Sequence, residues 1–162
     1  MNKLRLYKID INYIKYLYSF DNRVQYNPNR EDEYSANRPY LGIVLKIEQY
    51  DYFVSLEHPR KAHQTMKNNI FILKIHNGKY GILGFNNMIP VKKEQLIEFD
   101  INNENTGYKQ ILVSQYHYCN KHSKEIEEKA NETYNRSMKN CFMKKICCNF
   151  RLLEKKSEDY EA

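Results

Sequence analysis

Residues 40–91 hold five short apolar runs separated by turn residues, and that spacing limits the fold more than any other feature of the chain. The first run, 40–47, is apolar and β-branched with Gly42 near its start, and after a turn at 49–51 the run 52–56 predicts its partner strand. Residues 70–75 and 80–85 flank Asn77-Gly78, a strong two-residue hairpin signal. The last run, 88–91, contains Pro90, which has no N–H for a ladder and so confines the segment to a sheet edge or exit. Sequential hairpins predict a mostly antiparallel sheet.

The flanks read differently. Residues 4–9 predict a short strand. Asp10 is placed to cap a helix running to about Phe20, with Ile14, Leu17 and Tyr18 on one face at i, i+3 and i+4. Residues 21–39 are rich in Asn, contain Pro28 and Pro39, and predict a long loop carrying Arg23, Tyr26, Arg30 and Arg38. From about Tyr108 the positions Leu112, Tyr116, Cys119, Ile126, Ala130 and Tyr134 recur at helical steps and predict one long helix; a shorter one is expected over 138–154, then a frayed acidic tail from Ser157. With 162 residues, no internal repeat and no linker, the expectation is a single domain over residues 1–162. The fold class is α+β: helices packed on a twisted, mostly antiparallel sheet.

The formal net charge of +6 favours an anionic partner, with nucleic acid the commonest. The positive charge is clustered, since Arg136, Lys139, Lys144, Lys145, Arg151, Lys155 and Lys156 face Glu154 alone within 136–156. Fifteen tyrosines can stack on bases, or they can fill half-buried faces with their hydroxyls in water. Cys119, Cys141, Cys147 and Cys148 do not have zinc-knuckle spacing and read as small buried hydrophobes for the most part. The chain opens with charged residues among its apolar ones and holds no bilayer-length apolar stretch, so a cytoplasmic protein without metal, disulfide or membrane contact is expected.

Residues 57–69 carry the candidate chemistry. Glu57, His58, Arg60, Lys61, His63 and Lys67 lie between two strand-like runs, on the kind of loop that carries function. The mixture suits cleavage of an RNA phosphodiester by its own 2′-hydroxyl: histidine can move protons near neutral pH, and arginine and lysine can hold the extra negative charge. A solvated basic loop is the plain alternative. His76, His117 and His122 fall on a turn and on the predicted long helix, where solvent or core-edge roles carry more weight than catalysis.

Four blocks of sequence add a resemblance. They are residues 11–21 (INYIKYLYSFD) followed by Val24, residues 38–45 (RPYLGIVL), residues 86–91 (NNMIPV) and residues 147–154 (CCNFRLLE). In order and spacing they resemble the ToxN/AbiQ family, the protein components of type III toxin–antitoxin systems. That resemblance implies a compact, sheet-centred fold similar to MazF/Kid-type toxins. It implies a metal-independent endoribonuclease with no cofactor, leaving a 2′,3′-cyclic phosphate and a 5′-hydroxyl on substrate mRNA. It also implies a repeat pseudoknot RNA antitoxin, a closed ring of alternating protein and RNA, and a role in aborting phage infection; DNA is not an expected partner.

Carried over residue by residue, the family's loop reads Pro-Leu-(Ser/Thr)-Ser-Pro-Lys, often followed by Lys-His and Met-Lys-Asn. Here Leu56, Pro59, His63, Met66, Lys67 and Asn68 fit, while the serine or threonine positions fall on Glu57 and His58. The family lysine falls on Arg60, or on Lys61 with a one-residue slip. His58 can then act as base or acid, and Arg60 can grip a phosphate at two points. Lys61, His63 or Lys67 would protonate the leaving oxygen, because arginine is a poor proton donor. Tyr26 and Arg38 are the nearest equivalents of a family Tyr and basic residue that approach the phosphate. Tyr40, His63, Lys67, Arg136, Lys139, Lys144 and Lys145 are the RNA-binding candidates. The departure at Glu57 and His58 leaves a second reading open, an RNA-binding protein with weak or no catalysis.

Overall fold

In a computed structural model the described residues are 3–30 and 37–161, so part of the long loop, 31–36, and the side chain of Arg30 lie outside them. Strand β1 (Arg5–Ile9) leads through Asp10, whose carboxylate accepts the Asn12 N–H at 2.9 Å, into helix α1 (Ile11–Phe20). Strands β2 (Tyr40–Ile47) and β3 (Tyr50–Ser55) form the first hairpin. After the short helix α2 (Ala62–Thr65) come β4 (Ile72–Lys74), β5 (Ile82–Gly84), β6 (Ile89–Pro90) and β7 (Leu96–Glu98). The main sheet has the order β6-β3-β2-β1-β7 with every pairing antiparallel, and Pro90 sits on its edge strand as expected. The β4–β5 hairpin forms a separate two-stranded ladder, joined to the main sheet where Leu56 bridges Leu83. Gly42 allows the sheet to close tightly: a Cβ there would lie 2.2 Å from the Phe53 ring.

Three expectations change. The predicted long helix is two, α3 (Thr106–Lys121) and α4 (Ser123–Ser137). His122 breaks it at φ −110° and ψ 26°, with its N–H reaching back to the Tyr118 and Cys119 carbonyls. The segment 138–154 is likewise two helices, α5 (Cys141–Ile146) and α6 (Phe150–Asp159). Asn149 restarts the chain by capping α6, while its own N–H is taken by Asp21 at 2.6 Å. The acidic tail is not frayed: α6 continues to Asp159, Ser157 is buried and accepts the Tyr13 hydroxyl at 3.0 Å, and Tyr160 packs on Tyr13 and Tyr16.

Helix α4 covers β2, and α6 covers β6 and α1. The buried Glu154 ties α6 to β3 and α4, accepting the Tyr52 hydroxyl at 2.7 Å and the Tyr134 hydroxyl at 2.8 Å. Burial and the Glu154 carboxylate push the Tyr52 hydroxyl far above its ordinary range, so it stays a donor. Cys119, Cys147 and Cys148 are buried and Cys141 is exposed. Among the described residues no helix is long and apolar enough to cross a membrane.

Candidate active site

The loop after β3 is held from both sides. Leu56 donates its N–H to the Pro39 carbonyl at 3.0 Å, which fixes the loop's start beside the entry to β2. The buried Gln115 of α3 donates from Nε2 to the carbonyls of Glu57 at 3.2 Å and Tyr80 at 2.9 Å. The β4–β5 connection presses from below. It is wider than the two-residue turn that Asn77-Gly78 predicts: Ile75 donates to the Gly81 carbonyl at 3.0 Å, with His76 and Asn77 left-handed at φ 50° and 56°. The reason is close backbone approach. Gly81, at φ +92°, has room for no Cβ, which would fall 2.5 Å from the Glu57 carbonyl oxygen; at Gly78 it would fall 2.2 Å from that of His63.

Glu57 is the centre of the site. Its side chain is 24% exposed, with Oε2 at 3.6 Å from Arg60 Nη2 and 3.4 Å from His63 Nε2. Its Oε1 accepts Gln25 Nε2 at 3.3 Å, and the Ser55 hydroxyl donates to the other end of the same amide. His63 is wholly buried, and its Nδ1 accepts the Arg60 backbone N–H at 3.1 Å. The proton of the neutral ring therefore sits on Nε2, facing Glu57, though the 3.4 Å contact is not aligned as a hydrogen bond. Burial lowers the His63 pKa and the Arg60 charge lowers it further, against the opposing pull of Glu57, so the ring is neutral at pH 7.

Around this core the other candidates divide. His58, Arg60, Lys61 and Lys67 are exposed on the loop, with the His58 ring 5.7 Å from that of Tyr108. Arg38 is half-buried, and its charge opposes the rise in pKa that burial causes at Tyr40 and Tyr108. Tyr26 is half-buried against Tyr18, ring centroids 5.1 Å apart, and adjoins Gln25. Two RNA-binding assignments are corrected. Tyr40 is 1% exposed and belongs to the core, where burial pushes its hydroxyl up to about 12, and the buried His63 cannot touch RNA either.

Arg136, Lys139, Lys144 and Lys145 are exposed at the end of α4 and on α5, with Arg136 paired to Glu132 at 3.0 Å. The segment from Asp21 to Gln25 joins them to the site: Arg23 donates to the Lys144 carbonyl at 2.7 Å, and two residues on Gln25 holds Glu57. Gln25, Ser55, Tyr108 and Gln115 were not singled out from sequence. Gln25 is next to the candidate Tyr26, but nothing local marks Gln115 as facing inward. Among the described residues no group of three or more His, Cys, Asp or Glu could hold a metal ion.

Comparison with known proteins places this geometry in a family. The profile described as "Toxin ToxN, type III toxin-antitoxin system" matches residues 5–158. The chain is 32% identical to endoribonuclease ToxN of Pectobacterium atrosepticum, covering 97% of this chain and 94% of that protein. It is 29% identical to endoribonuclease AbiQ of Lactococcus lactis subsp. lactis, covering 97% and 89%. A solved structure from work on selective toxin inhibition by a non-coding RNA pseudoknot superposes with a TM-score of 0.83 at 28% identity, over 98% of each chain. The matches run over nearly the whole chain, and the chain belongs to the ToxN family of type III toxin–antitoxin toxins.

Proposed function

We propose that this single domain is an endoribonuclease toxin that acts in the cytoplasm, cuts mRNA without a metal ion, and is neutralised by a repeat pseudoknot RNA in a closed ring. Its endoribonuclease relatives and the pseudoknot-inhibited structure support the substrate class and the partner. AbiQ of known structure is an anti-phage endoribonuclease, which supports a role in aborting phage infection.

The observation that carries the chemistry is a carboxylate, a guanidinium and an exposed imidazole on one rigidly held loop. Arg60 and Lys61 grip the scissile phosphate. Glu57 takes the 2′-hydroxyl proton as the 2′-oxygen attacks phosphorus. The new O2′–P bond forms as the P–O5′ bond breaks, and His58, as general acid, gives a proton to the departing 5′-oxygen. The products are a 2′,3′-cyclic phosphate and a 5′-hydroxyl. His63 keeps its Nε2–H toward Glu57 and, packed 3.4 Å from the carboxylate, limits where it can move; it is a positioning residue.

The Arg60–Glu57 contact at 3.6 Å favours the rival reading, RNA binding without catalysis, because a cation beside the carboxylate makes it a weaker base. One assay separates the two: purified protein, a defined RNA and EDTA, with end-group analysis. Cleavage that survives chelator, yields cyclic phosphate ends and falls at least a hundredfold in Glu57→Gln is the expected result. RNA bound but uncut by the wild type would overturn the nuclease reading.

A further inference from the structure

Two adjoining cavities, of about 490 and 630 Å³, run along one face of α3 and share Val113 and Ser114. Their combined lining includes Lys109 and Lys121 and no carboxylate among the described residues. Aromatic rings follow one another along it: Tyr80 to His76 at 5.2 Å, His76 to Tyr118 at 4.6 Å, and Tyr118 stacked on His122 at 4.1 Å. Lys79 lies over the Tyr80 ring at 5.4 Å. Glu125 stands at the far end, 3.6 Å from His122 Nδ1.

The near end is linked to the candidate loop through its neighbours. Gly107 lines the groove, and the next residue, Tyr108, meets the His58 ring. Tyr80 shares the Gln115 amide with Glu57. His76 is exposed and Tyr80, Tyr118 and His122 are half-buried, and aromatic rings at a surface beside lysines are the chemistry of single-strand recognition, where stacking is sequence-tolerant and cations follow the backbone. With 16 residues at about 1.5 Å rise each, α3 offers a track of roughly 24 Å.

We propose that this α3 groove, from Gly107 past Tyr80 and His76 to Tyr118 and Lys121, is a binding track for single-stranded RNA flanking the cut site. It rests on the nuclease reading and extends it, giving work to His76 and Lys121, which that mechanism leaves idle.

The test uses a 12-nucleotide 2′-O-methyl RNA, which cannot be cut, and fluorescence anisotropy across a salt series. Lys109→Glu with Lys121→Glu is compared with Lys92→Glu with Lys93→Glu, an equal charge change on the exposed turn between β6 and β7. The groove pair weakens binding at least tenfold more than the control pair. It also lowers the slope of log K against log salt by about 1.4, the value for two lost single-strand phosphate contacts. His76→Asn, which tolerates the left-handed backbone but lacks the ring, weakens binding about fivefold without changing the slope. Equal losses in the two charge-reversal pairs, or equal affinity for a perfect duplex of the same sequence, would overturn the groove. Because the probe is uncleavable, these results stand apart from whether the wild type cuts RNA.

Discussion

Gly81→Ala tests whether the β4–β5 connection sets the position of the catalytic loop. At φ +92° an L side chain costs about 1–2 kcal/mol. The new methyl would lie 2.5 Å from the Glu57 carbonyl oxygen, about 1 Å short of van der Waals contact. That neighbour is backbone and cannot swing aside. The same carbonyl accepts Gln115 Nε2 at 3.2 Å, so moving it strains a bond worth about 1 kcal/mol net. Together these give a loss of roughly 2–3 kcal/mol, or a drop in melting temperature of about 4–12 °C for a domain of this size. The variant should still fold at 25 °C. Its kcat should fall far more than its stability implies, by about 10- to 100-fold, since a displacement near 1 Å at reacting groups can cost that much. The assay is single-turnover cleavage at saturating protein beside a thermal melt. Gly84→Ala is the control, because its Cβ would meet only the Asn86 side chain, at 3.3 Å. A Gly81→Ala protein with the expected melting shift and wild-type kcat would refute the claim that this close approach places Glu57.

His63 supplies a prediction in pH. Its folded pKa lies below the ordinary value of 6.5, so below pH 6.5 the unfolded chain takes up a proton that the native ring refuses. The stability that the neutral ring contributes is therefore full above 6.5 and lost as pH falls toward the folded pKa, with a slope of at most about 1.4 kcal/mol per unit. Urea denaturation at pH 7.5 and 5 should show this loss in the wild type and not in His63→Gln; equal losses in both would refute it. Glu154→Leu should cost about 2–4 kcal/mol, because it leaves the Tyr52 and Tyr134 hydroxyls buried without their acceptor. Tyr52→Phe should cost less, and chemical denaturation of both ranks them.

Local chemistry made much of this fold readable. The β2–β3 hairpin, the edge strand at Pro90 and the Asp10 cap rest on neighbouring residues, and sequence is most informative at that range. What it missed depends on distant partners. Insertion of β1 between β2 and β7 is set by pairing across more than thirty residues, as in Arg5 with Gly42. The break at residues 147–149 depends on Asp21, whose carboxylate takes the Asn149 N–H from 128 positions away. Burial pushes the Asp21 pKa up, but hydrogen bonds from Arg23 and from the Asn149 and Arg23 amides outweigh it and hold the group below its ordinary value. In the candidate site, Glu57, His58 and Arg60 stand out by residue type alone, and the structure puts them on one loop. That His63 turns inward does not stand out in this way, since the Arg60 N–H that captures its Nδ1 exists only once the loop has turned into α2.

A glutamate at the centre of the candidate site raises the question of whether its charge would repel the phosphate that the proposed mechanism brings to it. The geometry answers through exposure. The Arg60 side chain is 67% exposed and its contact with Glu57 is long, so the pair is worth no more than about 1 kcal/mol and a phosphate can draw the guanidinium away at little cost. A bidentate grip on phosphate is stronger than that contact. The partner that remains is His63, buried, neutral and facing Glu57 with its Nε2 proton. A neutral ring packed 3.4 Å from the carboxylate limits its movement without adding the second positive charge that would keep it from accepting a proton. Gln25 steadies the other oxygen in the same neutral way. In the proposed mechanism substrate binding would therefore separate the roles: the exposed cation leaves with the phosphate, while the buried His63 and the half-buried Gln25 keep the carboxylate beside the ribose.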